Sequence, residues 1–323
     1  MLTKNTIIYS ISILFAIAAT YACMSFSETE KTRPETPQLQ SFSATPRFPN
    51  KVEIFGNKID LSRYDLHERY ERELTNMCYT HNATILTIKR ANRLFPIICP
   101  ILKKENMPED LISLACIESS LNPRAVSPAK AAGIWQFLPE TGKQYGLEVN
   151  AEVDERYNVE KATYAACKYL RQAYEKMNDW LTVCASYNAG QAGISRRMSA
   201  QNQNSALDLY MPEETSRYIF RIMAMKEILR DPYHYGFVLH KDQLYKPIKC
   251  KEIEVSSSIS DLTAFAEKHG SNYFHLKEFN PWLRDKKLTN KTGKTYTIKL
   301  PEKDDMYYDN KDFKVYNKNW VVD

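Results

Sequence analysis

Glycine-rich repeats, proline-rich repeats and long runs of charge of one sign are missing from the 323-residue sequence. Only 9 residues are Gly and 15 are Pro, while 43% are hydrophobic and 26% are charged. This composition excludes collagen-like, wholly disordered and multi-span membrane proteins. The 44 Lys and Arg against 39 Asp and Glu leave a net charge of +5. That excess is too small to indicate nucleic-acid binding, although it suits transient contact with a polyanionic polymer.

Paired metal-ligand spacings are also missing. No CxxC motif occurs, and the six His are scattered along the chain. We therefore expect no metal site and no cofactor. Cys116, Cys167 and Cys184 lie among apolar residues in helical patterns, so we expect buried free thiols rather than a disulfide framework.

One apolar run stands at the N-terminus. Residues 1–22 carry a single charge, Lys4, ahead of this run, which is the layout of a secretory signal peptide. Ala22 followed by Cys23 resembles the lipobox at which bacterial lipoproteins are cleaved and lipidated on the cysteine. The two residues before Ala22 depart from the usual pattern, so a plain cleaved signal and an uncleaved anchor stay open. We expect an exported protein of a bacterial cell envelope, lipid-anchored at Cys23 and facing the periplasm.

The rest of the chain divides by composition. Residues 23–50 hold several Pro among Ser, Thr, Glu and Gln with few aliphatic residues, so we expect a disordered tether. A helical N-terminal region should cover 51–94 and a larger helical domain 95–235. A smaller module should cover 245–301, and the tail at 302–323 shows no clear periodicity.

The apolar spacing predicts a mainly α body from about residue 61 to residue 229. The predicted helices cover 65–80, 83–93, 95–104, 108–121, a stripe of small residues from Ala162 to Ala173, and 212–230. The smaller module is predicted to be β-α-α-β, with strands at 253–255 and 296–300 and helices at 260–268 and 273–279.

Four short blocks carry the residues that could do chemistry. They are Glu118-Ser119, Gly133-Ile134-Trp135-Gln136, Tyr187-Asn188-Ala189-Gly190, and Tyr218. Each alone has an ordinary explanation: a surface carboxylate, a turn with a core aromatic residue, a helix C-cap, or a core tyrosine. Their joint order and spacing argue against that explanation.

Glu118 closes an apolar helix. Burial and the negative end of the helix dipole should both disfavour its carboxylate and raise its pKa. A carboxyl that stays protonated near neutral pH suits a general acid. No second carboxylate is expected beside the four blocks. The following stretch contains acidic residues that we predict to be exposed or helix-capping, namely Glu140, Glu148, Glu152, Asp154 and Glu155.

In this order, across residues 95–230, the blocks resemble the signature of the soluble-lytic-transglycosylase (SLT) domain, family 23 of the glycoside hydrolases. Trp135 and the flanking segments resemble the D type of the membrane-bound lytic transglycosylases, and Ser186 is a small departure from the pattern. The resemblance implies a mainly α, lysozyme-like (goose-type) domain with a sugar-binding groove. It also implies cleavage of the β-1,4 bond between N-acetylmuramic acid and N-acetylglucosamine in peptidoglycan.

The resemblance also implies roles for single residues. Glu118 would protonate the glycosidic oxygen and then take the proton of the muramoyl C6 hydroxyl, leaving a 1,6-anhydro end. Gln136 and Asn188 would bind the N-acetyl and hydroxyl groups, and Ser119 would hold Glu118 or contact the substrate peptide. The implied substrate-binding residues are Ser119, Gln136, Tyr187, Asn188 and Tyr218. Whether Trp135 lies in the groove wall or in the core stays open.

Residues 245–301 resemble a LysM domain, a module that binds glycans containing N-acetylglucosamine. The usual Gly-Asp-Thr opening is replaced by Val255-Ser256-Ser257-Ser258, so a purely structural module stays open. The expected partners are peptidoglycan strands and, through the lipid, a membrane, but not nucleic acid. Two other functions also stay open: a hydrolytic muramidase on the same fold and a non-catalytic peptidoglycan-binding protein.

Overall fold

A computed structural model describes residues 45–308 and 313–322. The predicted signal peptide, Cys23 and most of the predicted tether lie outside the described residues. The described residues from Pro46 onward belong to one compact unit. Within this described part, no helix combines the length and apolar character needed to cross a membrane.

The expected mainly α fold with a small β-α-α-β module is confirmed. The strands and helices are β1 (Lys51–Ile54), β2 (Asn57–Asp60), α1 (Tyr64–Tyr79), α2 (His81–Lys104), α3 (Ile112–Ser119), α4 (Pro139–Gln144), α5 (Val159–Met177), α6 (Trp180–Ala189), α7 (Gln191–Gln201), α8 (Glu213–Arg230), β3 (Cys250–Val255), α9 (Leu262–Lys268), α10 (Tyr273–Phe279) and β4 (Tyr296–Pro301).

The hairpin of β1 and β2 was not predicted from the sequence. Ile54 pairs with Asn57, and the two turn residues, Phe55 and Gly56, have φ values of 52° and 76°. Two successive positive φ values are typical of a tight hairpin turn. The backbone N–H of Phe55 donates to Asp110 Oδ2 at 2.6 Å, which ties the turn to the segment before α3.

Helix α2 runs unbroken where two helices, 83–93 and 95–104, were predicted, so that prediction was wrong. Pro96 and Pro100 lie inside the helix, where each proline lacks a donor and costs about 3 kcal/mol in an isolated helix. Phe95, Ile98 and Leu102 are buried on the same helix. The burial of this apolar stripe offsets the cost of the two prolines.

Helix α8 is the central helix of the larger domain. It packs against α1, α3 and α6, and Ile219, Phe220 and Ile222 are fully buried along it. The three cysteines that we predicted to be buried free thiols, Cys116, Cys167 and Cys184, are confirmed as such. The core therefore brings α3, which carries Glu118, against α8, which carries Tyr218.

The C-terminal module forms the predicted β-α-α-β arrangement, with β3 and β4 antiparallel and Cys250 paired with Pro301. Its core includes Leu262, Leu276 and Ile298. Val153 and Tyr157 from the larger domain belong to the same core. The module therefore packs directly against the larger domain and shares a hydrophobic core with it.

Asp154 and Glu155 are not exposed. Asp154 caps the short 3-10 helix Glu155–Tyr157 by accepting from the backbone N–H of Arg156, so the expected exposed or helix-capping role holds for Asp154 and was wrong for Glu155. Asp154 is 7% exposed and Glu155 is 2% exposed. Asp154 accepts hydrogen bonds from the Arg156 guanidinium at 2.9 and 2.7 Å, and Glu155 accepts from Lys294 Nζ at 3.0 Å. Charged residues can be buried when they are paired in this way. These pairs hold the segment on which the C-terminal module docks.

The tail also packs on the larger domain, although its sequence showed no periodicity. The side chain of Trp320 is 2% exposed, and its ring centroid lies 5.5 Å from that of Phe95. Its indole N–H donates to the backbone oxygen of Leu229 at 2.6 Å. Trp320, together with Tyr316, whose ring centroid lies 5.3 Å from that of Phe95, therefore fixes the tail against α2 and the end of α8.

Candidate active site

Glu118 lies in the last turn of α3. The next two residues, Ser120 and Leu121, have φ values of 49° and 55°. Left-handed backbone at residues other than Gly costs of order 1 kcal/mol each and needs packing to hold it. That packing is present, because Leu121 is fully buried and Arg90 donates to the Ser120 carbonyl at 3.0 Å. The sharp turn therefore fixes the direction in which the Glu118 carboxyl points.

Tyr218 is the hydrogen-bond partner of Glu118. Its hydroxyl donates to Glu118 Oε1 at 2.5 Å, and the tyrosine is 4% exposed. Burial raises the pKa of Glu118 to about 7, and the hydroxyl partly opposes this shift. The predicted upward shift of this pKa is confirmed, so the carboxyl is about half protonated at neutral pH.

The expectation that no second carboxylate lies beside the four blocks was wrong. Glu214 lies one helical turn before Tyr218 in α8, and its charge contributes to the raised pKa of Glu118. The i, i+4 spacing from Tyr218 is the sequence signal for this neighbour. Glu214 is exposed, in contrast to Glu118.

Ser119 connects two of the four blocks. Its hydroxyl donates to Ile134 O at 2.9 Å and to Ala115 O at 3.2 Å. The hydroxyl therefore holds the Gly133-to-Gln136 turn against α3, while the direct partner of the Glu118 carboxyl is Tyr218.

Gly133 and Gln136 shape this turn. Gly133 has a φ of 76°, and a Cβ there would lie 1.9 Å from the carbonyl oxygen of Arg156, so only glycine fits. Gln136 has a φ of 47°, and its Nε2 donates to Gly133 O at 2.8 Å and to Ala125 O at 3.2 Å. The Gln136 amide nitrogen thus joins the turn to residue 125.

Trp135 belongs to the core and not to the groove wall. It is fully buried, and its indole N–H donates to Thr163 Oγ1 at 3.0 Å. The carbonyl of Trp135 accepts from the Tyr187 hydroxyl at 2.6 Å. Trp135 thereby holds the turn from the core side, and Tyr187 holds it from α6.

Tyr187 stands in a cluster of aromatic side chains that the sequence blocks did not reveal. Its ring centroid lies 5.1 Å from that of Tyr169 and 6.3 Å from that of Phe137. Tyr145 extends the cluster, 5.2 Å from Tyr169. Glu118 is close enough for its charge to raise the pKa of Tyr187 further, after the main effect of burial. The half-buried tyrosines form one aromatic cluster, of which Tyr187 is the member near Glu118.

Asn188 links α6 to α8. Its Oδ1 accepts from Thr215 Oγ1 at 2.8 Å, and the helix ends one residue later at Ala189, with Gly190 at a φ of 82° as its C-cap. The four blocks are thus brought together around Glu118. Within residues 45–308 and 313–322, no group of three or more His, Cys, Asp or Glu side chains could hold a metal ion.

Two segments of the chain match known domain families. Residues 95–209 match the transglycosylase SLT domain, and residues 251–304 match the soluble lytic transglycosylase C-terminal LysM-like domain. Tyr218 lies beyond the first match, although the fold brings it to Glu118.

Several proteins share sequence with this chain. It is 29% identical over 243 residues to membrane-bound lytic murein transglycosylase D of Escherichia coli strain K12, which covers 74% of this chain and 52% of that protein. It is 28% identical over 122 residues to a putative tributyltin chloride resistance protein of Alteromonas sp. strain M-1, covering 38% of this chain and 59% of that protein. The chain therefore spans about half the length of the curated relatives that it matches.

Two solved structures are also similar in part. An inactive mutant of lytic transglycosylase Slt from Pseudomonas aeruginosa matches with a TM-score of 0.34 and 18% identity, over 42% of this chain and 23% of that one. The 70 kDa soluble lytic transglycosylase of Escherichia coli matches with a TM-score of 0.38 and 19% identity, over 55% of this chain and 30% of that one.

The two domain matches agree with the blocks around Glu118 and with the β-α-α-β module that follows them. The chain carries a transglycosylase SLT domain followed by a LysM-like C-terminal domain, and it is a homologue of membrane-bound lytic murein transglycosylase D.

Proposed function

We propose that this protein is a peptidoglycan lytic transglycosylase that cleaves the β-1,4 bond between N-acetylmuramic acid and N-acetylglucosamine and leaves 1,6-anhydro ends. The main support is the state of Glu118, a partly buried carboxyl with a pKa of about 7 that accepts a hydrogen bond from Tyr218. A group with this pKa can both give and take a proton near neutral pH. The SLT match over residues 95–209 supports the same substrate class.

In the proposed reaction Glu118 acts twice. As an acid it gives its proton to the glycosidic oxygen, and the bond between that oxygen and C1 of the muramoyl residue breaks. The resulting carboxylate then takes the proton of the C6 hydroxyl while O6 forms a bond to C1. Glu118 ends protonated again, and no water enters the product. The hydroxyl of Tyr218 favours the carboxylate between the two steps, because it donates to the ionised oxygen.

The surroundings of Glu118 fit this sequence of steps. Tyr187 and Tyr169 supply an apolar wall, which limits the access of water to the acid. Ser119 and Gln136 hold the turn that faces the acid. We propose that these residues, with Asn188 and Tyr218, form the substrate site.

A hydrolytic muramidase on the same fold is the second candidate, and Glu214 is the observation that favours it. Most hydrolytic glycosidases use two carboxyl groups, and the second one activates water or attacks the sugar. Glu214 is near enough to influence the pKa of Glu118. A non-catalytic peptidoglycan-binding protein is the third candidate, and a functional acid at Glu118 would exclude it.

We further propose that the protein is exported to the bacterial cell envelope and anchored by a lipid on Cys23. The support is the sequence of residues 1–22, with its apolar run ahead of Ala22 and Cys23. The relative from Escherichia coli is named as membrane-bound. In this arrangement residues 23–50 tether the catalytic domain at 95–235 to the membrane.

Mass spectrometry of purified peptidoglycan digested with the full chain tests the reaction. We expect anhydromuropeptides, and we expect Glu118→Gln to abolish them. Glu140→Gln is the matched control, because the Glu140 side chain is 84% exposed and pairs with Lys143 on the surface, so its products should equal those of the wild type.

Other products would decide between the candidates. Reducing-end products, one water heavier, would identify the hydrolase and overturn the proposal. Binding to peptidoglycan without any product from the wild type would identify the non-catalytic protein.

A further inference from the structure

A cavity of about 330 Å³ opens where the LysM-like domain packs against the SLT domain. We call it the junction pocket. Its lining contains three cations and no acid, and side chains from both domains contribute to it: Arg124, Val126, Tyr157, Lys277, Pro281 and Arg284. Such a lining favours an anionic ligand.

Two of the cations close the pocket at the domain boundary. Arg124 Nη2 lies 2.6 Å from Glu278 Oε2 and donates to Lys277 O at 3.3 Å. Lys277 Nζ donates to the backbone oxygens of Leu283 and Asp285. These contacts fix the geometry of the pocket before any ligand binds.

The third cation, Arg284, is available to a ligand. Its guanidinium carbon lies 4.3 Å from the ring centroid of Tyr157, and Nη1 donates to Pro281 O at 2.9 Å. In the part of the chain that the structure describes, no carboxylate forms an ion pair with Arg284. Burial, followed by the charge of Arg284, lowers the pKa of Lys277; the charge of Asp285 opposes this shift and that of Arg124 adds to it. Arg124 is paired with Glu278 and Lys277 lies near Asp285, so the positive charge open to a ligand is that of Arg284.

The pocket lies beside the turn that faces Glu118. The carbonyl of Ala125 accepts from Gly133 N at 2.9 Å and from Gln136 Nε2 at 3.2 Å. Arg124, in the pocket wall, directly precedes Ala125. Because Arg124 follows Glu118 by six positions, their Cα atoms lie within about 22 Å of each other.

We propose that the junction pocket binds a carboxylate of the peptide attached to the glycan strand, with Arg284 as its main donor. This inference rests on the proposed function, since it names the part of the substrate that this site would take. A planar guanidinium stacked on an aromatic ring is suited to bind a carboxylate through two donors. The LysM-like domain thereby completes the substrate site and makes it selective for strands that carry peptides.

Kinetics on two substrates test the pocket: glycan oligomers with their peptides, and the same oligomers after an amidase has removed the peptides. We expect Arg284→Gln to raise KM about fivefold on the first substrate and to leave KM on the second substrate and both kcat values unchanged. Arg284→Lys, which keeps the charge, should recover part of the loss. Lys286→Gln removes a positive charge two residues away, outside the pocket, and should change KM and kcat on neither substrate.

An equal rise of KM on both substrates, or no rise on the first, would overturn the proposal that the junction pocket binds the peptide carboxylate. Calorimetric titration of the full chain with the free stem peptide separates this inference from the proposed function. If the wild type cleaves neither substrate, the proposed function fails, whereas peptide binding that Arg284→Gln weakens would still support the pocket. Absence of peptide binding to the wild type would overturn the pocket whatever the activity.

Discussion

The hydroxyl of Tyr218 donates to Oε1 of Glu118 at 2.5 Å, across 100 positions of the chain. The contact joins the end of α3 to the second turn of α8, two helices that pack against each other in the core of the larger domain. Two opposing effects therefore act on one carboxyl. Burial favours its protonated form and the hydroxyl favours its ionised form, with the result that its pKa is about 7.

Tyr218→Phe should separate these effects. The variant removes the donor that lowers the pKa of Glu118, so the pKa rises and the alkaline limb of the pH–rate profile moves to higher pH. The rate at the optimum should fall about tenfold to a hundredfold, because the developing carboxylate loses a charge-assisted hydrogen bond. Steady-state rates on peptidoglycan between pH 4 and pH 10 measure both changes.

Tyr210→Phe is the control for this variant. Tyr210 is 87% exposed, so loss of its hydroxyl should leave the profile unchanged. A fall in rate at Tyr218→Phe without movement of the alkaline limb would mean that the hydroxyl acts on the substrate and not on Glu118. In the wild type, an alkaline limb near pH 4.3, the ordinary value for Glu, would contradict the raised pKa.

Glu118→Gln should stabilise the protein in a pH-dependent way. The folded-state pKa of Glu118, about 7, lies above the ordinary value of 4.5. Below about pH 4.5 the carboxyl is protonated in both the folded and the unfolded state and does not reduce stability. As pH rises through 7 this stability is lost, because the folded protein must then hold a buried charge. Gln carries no such charge, so the gain in unfolding free energy should be small at pH 4.5 and about 2 kcal/mol at pH 8.

Urea denaturation of the wild type and Glu118→Gln at both pH values measures this difference. Glu140→Gln, at an exposed site, should change stability little at either pH. A stabilisation by Glu118→Gln that is equal at pH 4.5 and pH 8 would show that the carboxyl is not the cause.

Glu214→Gln should lower the pKa of Glu118. Removing a nearby negative charge makes the carboxylate easier to form, so the alkaline limb should move to lower pH, and added salt should shrink the difference from the wild type. In the transglycosylase the maximal rate on the acid side should be retained. In the hydrolase candidate, Glu214 would have to activate water, and the rate would fall at every pH. Glu213→Gln, on the neighbouring residue, is the matched control.

The sequence predicted which residues cluster around Glu118 better than it predicted the contacts among them. Glu118 and Tyr218 were both identified, and the raised pKa of Glu118 followed from its place at the end of an apolar helix. The hydrogen bond between them depends on the packing of α3 against α8, which no local pattern encodes. For the same reason, the hydroxyl of Ser119 could not be assigned to Ile134 O before the turn was placed.

The burial of Glu155 was missed for a related reason. Charged residues are usually exposed, and no local pattern around Glu155 predicts its ion pair with Lys294, 139 positions away. Likewise, the predicted break between helices 83–93 and 95–104 is absent, because the apolar packing of α2 keeps the helix continuous. In each case a long-range contact decides what a local preference leaves open.

The close approach of Gly133 to Arg156 yields the last prediction. A Cβ at Gly133 would lie 1.9 Å from the Arg156 carbonyl oxygen, at a φ of 76° that other residues rarely adopt. The backbone of one segment must therefore move if Gly133→Ala is to fold. Because Arg156 pairs with Asp154 beside the docked LysM-like domain, the strain should reach both the turn near Glu118 and the domain junction. We expect the free energy of unfolding to fall by about 3 kcal/mol or more in urea denaturation.

Gly193→Ala is the matched control, because Gly193 lies inside α7 with no atom within 4 Å of its Cβ position, and it should stabilise the protein by about 0.5–1 kcal/mol. Equal stability of Gly133→Ala and the wild type would show that the turn tolerates a side chain, and the fixed geometry argued for the site would then be wrong.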